Sequence, residues 1–399
     1  MLFYLSPESL GSLAFAPSES SLVYVAEAKD EKTETDPFKK FRFNPDFGEG
    51  LGGKRSPAIF LFSWSAESTR LTRVEAVGYE DVRFGQLIFD PIADSILYAT
   101  GYEFMMDRRV LGVKGCFNRP SGIWRMVIPP TTEVAVSEEE DSKMAVLTTK
   151  TAQKLTPSHL SCRSPRTFTK NAQSTLVWLS SATGGAHVAT TTLHVLDISS
   201  RAEIIEEQSL IASDTPVVDL VKERLNDLTK FPGLYPSYNL PQAPFILSND
   251  GHNKPDVLLH SVWGSRTTIL RVSLRDGAVE DLTPDPEGKL DSWTLFATDG
   301  RDQLICSRSS LSVPYELLVG KIKGKVVGWY ILDQPDLSAS GKQVFLSLSR
   351  LHLQPNRKQC PKLSAASKHG SSRSLIVLSS RRLSLSPPKQ KEIRISLRV

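Results

Sequence analysis

Apolar runs of about five to eight residues recur along the chain, rich in Val, Ile, Leu, Phe and Trp and separated by clusters of Ser, Asp, Gly and Pro. β-Branched and aromatic residues suit a pleated, half-buried surface, while Gly, Pro, Asn and Asp supply turn conformations, so the pattern predicts strands. Helical periodicity is nearly absent. Its best stretch runs from Asp214 to Leu228, where Asp214 would cap a helix with Val217, Leu220, Val221, Leu225 and Leu228 on one face.

The strands come in sets of four. From Pro244, PFILSND, DVLLHSVWGS, TTILRVSL and AVEDLT follow one another, with turns at Asp250-Gly251 and Asp276-Gly277. From Ser12 the set is SLAFAP, LVYVAEA, AIFLFSW and LTRVEAV, with a long insertion after its second strand. From Gly85 it is GQLIFDP, SILYATGYE, GIWRMVI and, fourth, MAVLTT; from Ser161 it is SCRSPRTF, TLVWLSS, TLHVLDI and a weaker EQSLI. From Asp291 it is DSWTLFATDG, QLICSRSS, YELLVGKI and VVGWYILD. Four antiparallel strands repeated in this manner are the signature of propeller blades. An ordinary pair of β-sandwiches also spaces strands regularly. The recurrence of the third and fourth strands favours an all-β, incomplete propeller of about five blades.

Charge divides the chain in two. The 399 residues carry a formal +4, yet Ser338 to Val399 alone carry +12, with 13 Lys and Arg against Glu392, and the remainder carries −8. That last segment has 14 Ser and one aromatic residue, Phe345, a composition that cannot offset its ordering entropy by burial. The expected division is therefore a propeller domain over residues 1–337 and a basic, Ser-rich, disordered tail over 338–399. The tail is read as solvated, with no nucleic acid and no membrane as partner, and the Arg381-Arg382-Leu383-Ser384 and Ser386-Pro387 strings as chance matches to phosphorylation sites. No apolar run reaches membrane-spanning length, and the start lacks the basic region of a secretory signal. Cys116, Cys162, Cys306 and Cys360 lie far apart without a CxxC pair, which fits a reducing, cytoplasmic location and free, structurally incidental thiols.

Candidate chemistry is thin. The G-x-S-x-G elbow that exposes a nucleophilic serine is missing, and His369-Gly370-Ser371-Ser372 lacks its second glycine. The seven histidines show no metal spacing, and His194 and His260, alone on strands, are read as structural. The glycine-rich string from Gly48 to Gly53 precedes a strand instead of a helix, so it is read as a flexible loop and not as a phosphate cradle. Glu138 to Asp141 read as an acidic loop tip. No catalytic residue, cofactor or metal is assigned.

Specific strings then carry a resemblance. LVYVAEAKDEK (Leu22 to Lys32), DFGEGLGGKRSPAIFLF (Asp46 to Phe62), LGVKGCFNRPSGIWRM (Leu111 to Met126) and KGKVVGWYILDQPD (Lys323 to Asp336) together resemble the propeller domain of the acylaminoacyl-peptidases, over about residues 11 to 336. These belong to the prolyl-oligopeptidase group of serine peptidases. The resemblance implies an enzyme that removes an N-acylated, typically N-acetylated, amino acid from short peptides, with a propeller restricting access to a hydrolase domain that follows it. It implies short N-acylated peptides as substrates of the full enzyme, a homo-oligomer as assembly, and substrate gating as the role of this part. The chain departs from the pattern where the basic tail stands in place of a hydrolase domain. The expectation is a truncated isoform, inactive alone, with exposed blade faces and marginal solubility; a non-enzymatic interaction scaffold is the other reading. Asp46, Glu49 and Arg119, in the landmark loops, are the candidates for gating or for contact with a partner domain.

Overall fold

A computed structural model describes residues 9–28, 38, 41, 46–53, 57–128, 145–149, 152–199, 215–219, 221, 230–247, 254–285, 288, 290–311 and 313–336. The chain divides into two compact units, Met1–Leu353 and Gln354–Val399; the second lies outside the described residues. The whole basic tail with Cys360, and the acidic tip at Glu138 to Asp141, also lie outside the described residues.

The described residues form five sheets, four of four strands and one of five. Blade 1 comprises β1 (Leu13–Phe15), β2 (Ser21–Glu27), β3 (Pro57–Trp64), β4 (Thr69–Ala76) and β8 (Ala145–Thr149). Blade 2 holds β5 (Val82–Phe89), β6 (Ile96–Glu103), β7 (Ser121–Val127) and β9 (Ala152–Lys154). Blade 3 holds β10 (Leu160–Lys170), β11 (Gln173–Ala182), β12 (Thr192–Asp197) and β13 (Thr215–Val218). Blade 4 holds β14 (Phe245–Ile246), β15 (Asp256–Trp263), β16 (Arg266–Ser273) and β17 (Val279–Asp281), and blade 5 holds β18 (Ser292–Thr298), β19 (Gln303–Ser309), β20 (Glu316–Lys323) and β21 (Val326–Asp333). Apart from β8, neighbouring strands within each blade are antiparallel. The all-β bladed architecture expected from the sequence is present.

The apolar runs are nearly continuous, not alternating, because the middle sheets are covered on both faces. In β15, Val257 and Leu259 pack toward blade 3 with Val177, Leu179 and Leu193, whereas Leu258 packs toward blade 5 with Leu304, Cys306 and Leu318. Fully burying one such side chain stabilises by roughly 1.5–3 kcal/mol, so a three-residue run holds two interfaces. The same alternation recurs in blade 3, where Leu176 and Trp178 turn back to Ile96, Tyr98 and Ile123 of blade 2. In blade 2, Leu97, Ala99, Trp124 and Met126 face Val23, Val25, Ile59 and Leu61 of blade 1. Buried clusters thus join blade 1 to 2, 2 to 3, 3 to 4 and 4 to 5; among the described residues none joins 5 to 1.

Two strand assignments read from the sequence need correction. Ala145–Thr149, expected as the fourth strand of the second set, instead pairs in parallel with β4 as the fifth strand of blade 1. The edge of β7 is taken by Ala152–Lys154, where Gly122 leaves room for the Lys154 side chain: a Cβ there would lie 2.5 Å from Lys154 Cε. The proposed helix from Asp214 to Leu228 is contradicted at its start. Thr215–Val218 pairs with the open edge of β12, Leu193 opposite Val218 and Val195 opposite Thr215. Pro216 is tolerated because β13 is an edge strand, and β-branched Thr215, Val217 and Val218 suit it. This strand takes the place expected for EQSLI, which lies outside the described residues, as do Asp214, Leu220, Leu225 and Leu228.

Candidate functional site

The connections between second and third strands of blades 1, 2 and 3 meet around the stretch from Leu111 to Arg119. In blade 1, Asp46 accepts the backbone N–H of Gly48 at 2.9 Å and of Gly53 at 3.4 Å, which folds the connection back on itself. Gly48 has a φ of 78° and its α-carbon lies against Gly112, where a Cβ would come within 3.1 Å of the Gly112 Cα. Phe47 and Leu51 are buried beside Val113, and Val113 N–H donates to Phe47 O at 3.3 Å. The Gly48 to Gly53 string is a turn pinned at Gly48 and Leu51, with Glu49, Gly50, Gly52 and Gly53 exposed. Apolar Phe47 and Leu51, alternating with glycines, anchor it.

Arg119 reaches the same stretch from the other side. Its Nε donates to Gly112 O at 2.9 Å and an Nη to Cys116 Sγ at 3.3 Å. Asp46 and Arg119 are thus brought to one structural feature through Gly112, without direct contact. Glu49 sits on the exposed outer turn next to Gly50, against which the Lys114 side chain lies, and no hydrogen bond fixes it to either candidate.

Blade 3 closes the cluster. Its connection after β11 accepts Phe117 N–H on His187 O at 3.0 Å and Asn118 Nδ2 on Gly185 O at 2.5 Å, and Gly184 N–H donates back to Asn118 O at 2.9 Å. This docking sets His187 Nδ1 3.1 Å from Cys116 Sγ. A thiol, an imidazole and a guanidinium therefore share one half-buried position. Composition and spacing gave no sign of it, since Cys116 and His187 are 71 residues apart and belong to different blades.

Beneath it lies Arg163, 1% exposed and without a carboxylate partner among the described residues. Its guanidinium stacks over Phe117 at 4.4 Å and Tyr238 at 5.4 Å, and donates to Tyr238 O at 3.1 Å, Ser181 Oγ at 3.4 Å and Thr191 Oγ1 at 3.3 Å. Burial pulls the guanidinium pKa down to about 10, and the same burial raises that of the Tyr102 hydroxyl, which meets Tyr238 at 3.0 Å. Arg166 repeats the device, donating to the carbonyls of Pro241 at 2.6 Å and Leu240 at 2.5 Å. The two lone strand histidines have structural partners. His194 stacks on Trp178 at 5.2 Å and bonds Ser180 Oγ at 2.7 Å; His260 bonds Ser237 Oγ at 2.7 Å and accepts Leu295 N–H at 3.3 Å.

The family model for the N-terminal domain of acylamino-acid-releasing enzyme matches residues 13–343. The chain belongs to that family. Among curated members, the Arabidopsis thaliana acylamino-acid-releasing enzyme is 29% identical over 280 residues, covering 69% of this chain and 33% of its own. The acylamino-acid-releasing enzyme of Sus scrofa is 26% identical over 366 residues, covering 84% of this chain and 43% of its own. The chain thus spans between about a third and under half the length of these relatives. Solved structures resembling it include a prolyl endopeptidase, at TM-score 0.44 and 9% identity over 82% of this chain and 36% of the other, and Porphyromonas gingivalis dipeptidyl peptidase 4, at 0.43 and 9% over 86% and 38%. The propeller assignment of this acylamino-acid-releasing-enzyme domain rests on its own strand pairing.

Proposed function

We propose that this chain is the substrate-gating propeller of an acylamino-acid-releasing enzyme, a hydrolase that takes N-acyl amino acids from the ends of short peptides. The observation that carries the reading is the interlocked rim. The connections of three successive blades are pinned at Gly112 and Cys116 and underpinned by Arg163 between Phe117 and Tyr238. A rim held by several hydrogen bonds selects by width, since widening it requires breaking several of them at once. Asp46 and Arg119 act in this role by holding the rim, and Glu49 is the member free to face a peptide or a partner domain. The reading also includes a homo-oligomer and a cytoplasmic location; the free thiols of Cys116, Cys162 and Cys306 fit the reducing compartment.

The test is to offer the purified chain N-acetyl-alanyl p-nitroanilide together with N-acetylated peptides of three and thirty residues. The expected outcome is no hydrolysis and, by titration calorimetry, heat with the short peptide only. Hydrolysis above the blank, or equal binding of both lengths, would overturn the proposal.

A further inference from the structure

Three thiols can be compared within the described residues. Cys162 and Cys306 are fully buried, and burial pushes the Cys306 thiol up to about 12. Cys116 is half-buried, flanked by exposed Lys114 and Gly115 on its own loop and by exposed His187 from blade 3. Its sulfur is set against both a ring nitrogen, at 3.1 Å, and a guanidinium, at 3.3 Å. Neither partner is there by sequence proximity alone. Arg119 is held by Gly112 O, and His187 by its own carbonyl on Phe117 N–H and by the Asn118 bonds to Gly184 and Gly185 just before it.

We propose that Cys116 is a peroxide-reactive thiol, with His187 as the base that takes its proton and Arg119 as the cation that steadies the sulfur anion during attack. An electron pair on Sγ attacks one oxygen of the peroxide, the S–O bond forms as the O–O bond breaks, and sulfur loses two electrons. The thiol proton, carried by His187 Nδ1, passes to the departing hydroxide and leaves as water. The product is a sulfenic acid. A positioned base within hydrogen-bond distance and a neighbouring cation are the two elements that raise thiol reactivity, and exposure of the same loop admits the oxidant. The new oxygen would stand between the blade 2 and blade 3 connections, where Sγ now meets His187.

The whole chain is treated with hydrogen peroxide in the presence of a cyclic 1,3-dione that traps sulfenic acids, and each cysteine is followed by peptide mass spectrometry. Cys116 should be trapped at least about tenfold faster than glutathione under the same conditions, and His187→Asn and Arg119→Gln should each slow it by about tenfold or more. The His187 bond to Phe117 is through backbone, so His187→Asn keeps it; near-ultraviolet circular dichroism checks this. Trapping of Cys116 no faster than glutathione, or undiminished in a folded His187→Asn chain, would overturn the proposal. The wild-type comparison with glutathione decides even if both variants misfold.

Discussion

The side-chain oxygen of Gln86 accepts the backbone N–H of Ser164 at 2.8 Å, linking the first strands of blades 2 and 3. Both residues sit in bulges, where register slips between Gly85 and Ile88 and between Arg163 and Arg166. Both also have left-handed backbones, with φ of 53° and 59°. A non-glycine residue in that region costs roughly 1–2 kcal/mol. The cost is offset where the two bulges bond each other and their surroundings: Gln86 Oε1 also accepts Thr100 Oγ1 at 2.6 Å, and Ser164 Oγ accepts Leu240 N–H at 2.8 Å.

Gln86→Ala should therefore destabilise the chain by about 1–3 kcal/mol, since it withdraws an acceptor from a buried N–H and keeps the strained backbone. Gln86→Gly should be milder by about 1 kcal/mol because it relieves the φ. Urea unfolding followed by tryptophan fluorescence measures both. A glycine variant less stable than the alanine variant would contradict this account.

Arg163 offers a second test. Three nitrogens each meet a neutral acceptor while the plane lies against two rings. An ammonium cannot span that set or stack in that way, so Arg163→Lys should lose about 2 kcal/mol despite keeping the charge. Equal denaturation midpoints for the two chains would show that the guanidinium geometry is unimportant.

His260 should make stability fall in mild acid. Burial lowers its pKa from the ordinary value of 6.5, and with Leu295 N–H donating to Nδ1 the neutral ring donates from Nε2 to Ser237. A depressed pKa means that the stabilising contribution is present above the unfolded value and is lost as pH falls through the folded one. Between pH 7 and pH 5 the wild-type urea midpoint should drop more than that of His260→Gln. Parallel pH dependences in the two proteins would exclude His260 as the source.

The outward face of blade 5 exposes Phe296, Val326, Tyr330 and Leu332, with Val319 opposite Tyr330 across the strand pair. Apolar sheet faces of this kind favour association. Sedimentation velocity should show concentration-dependent self-association that Tyr330→Lys weakens severalfold. A monomer at every concentration for the wild-type chain would count against it.

The bladed fold was legible because each blade is made of neighbouring segments, and double-sided burial wrote itself into continuous runs such as Val257-Leu258-Leu259. The fourth strands were the weak point. Ala145–Thr149 and Thr215–Val218 are short edge strands whose partner is set by which edge is open, and apolar spacing does not encode that. The landmark loops led to Asp46 and Arg119, which the structure places around Gly112. His187 was invisible for the opposite reason: its relation to Cys116 exists only once two blades are stacked.

The parallel strand of blade 1 sets an order of events on the ribosome. Ala145–Thr149 emerges roughly 70 residues after the strand it pairs with, and all three preceding strands of blade 2 are synthesised in between. At about 5–20 residues per second, that leaves the edge of Thr69–Ala76 unpaired for roughly 4–15 s. The next stretch then ties the two blades together: Val77 N–H donates to Thr149 O at 3.1 Å, Thr149 Oγ1 to Val127 O at 2.6 Å and Tyr79 to Ala152 O at 2.6 Å. Blades 1 and 2 therefore reach completion together, as one co-translational unit.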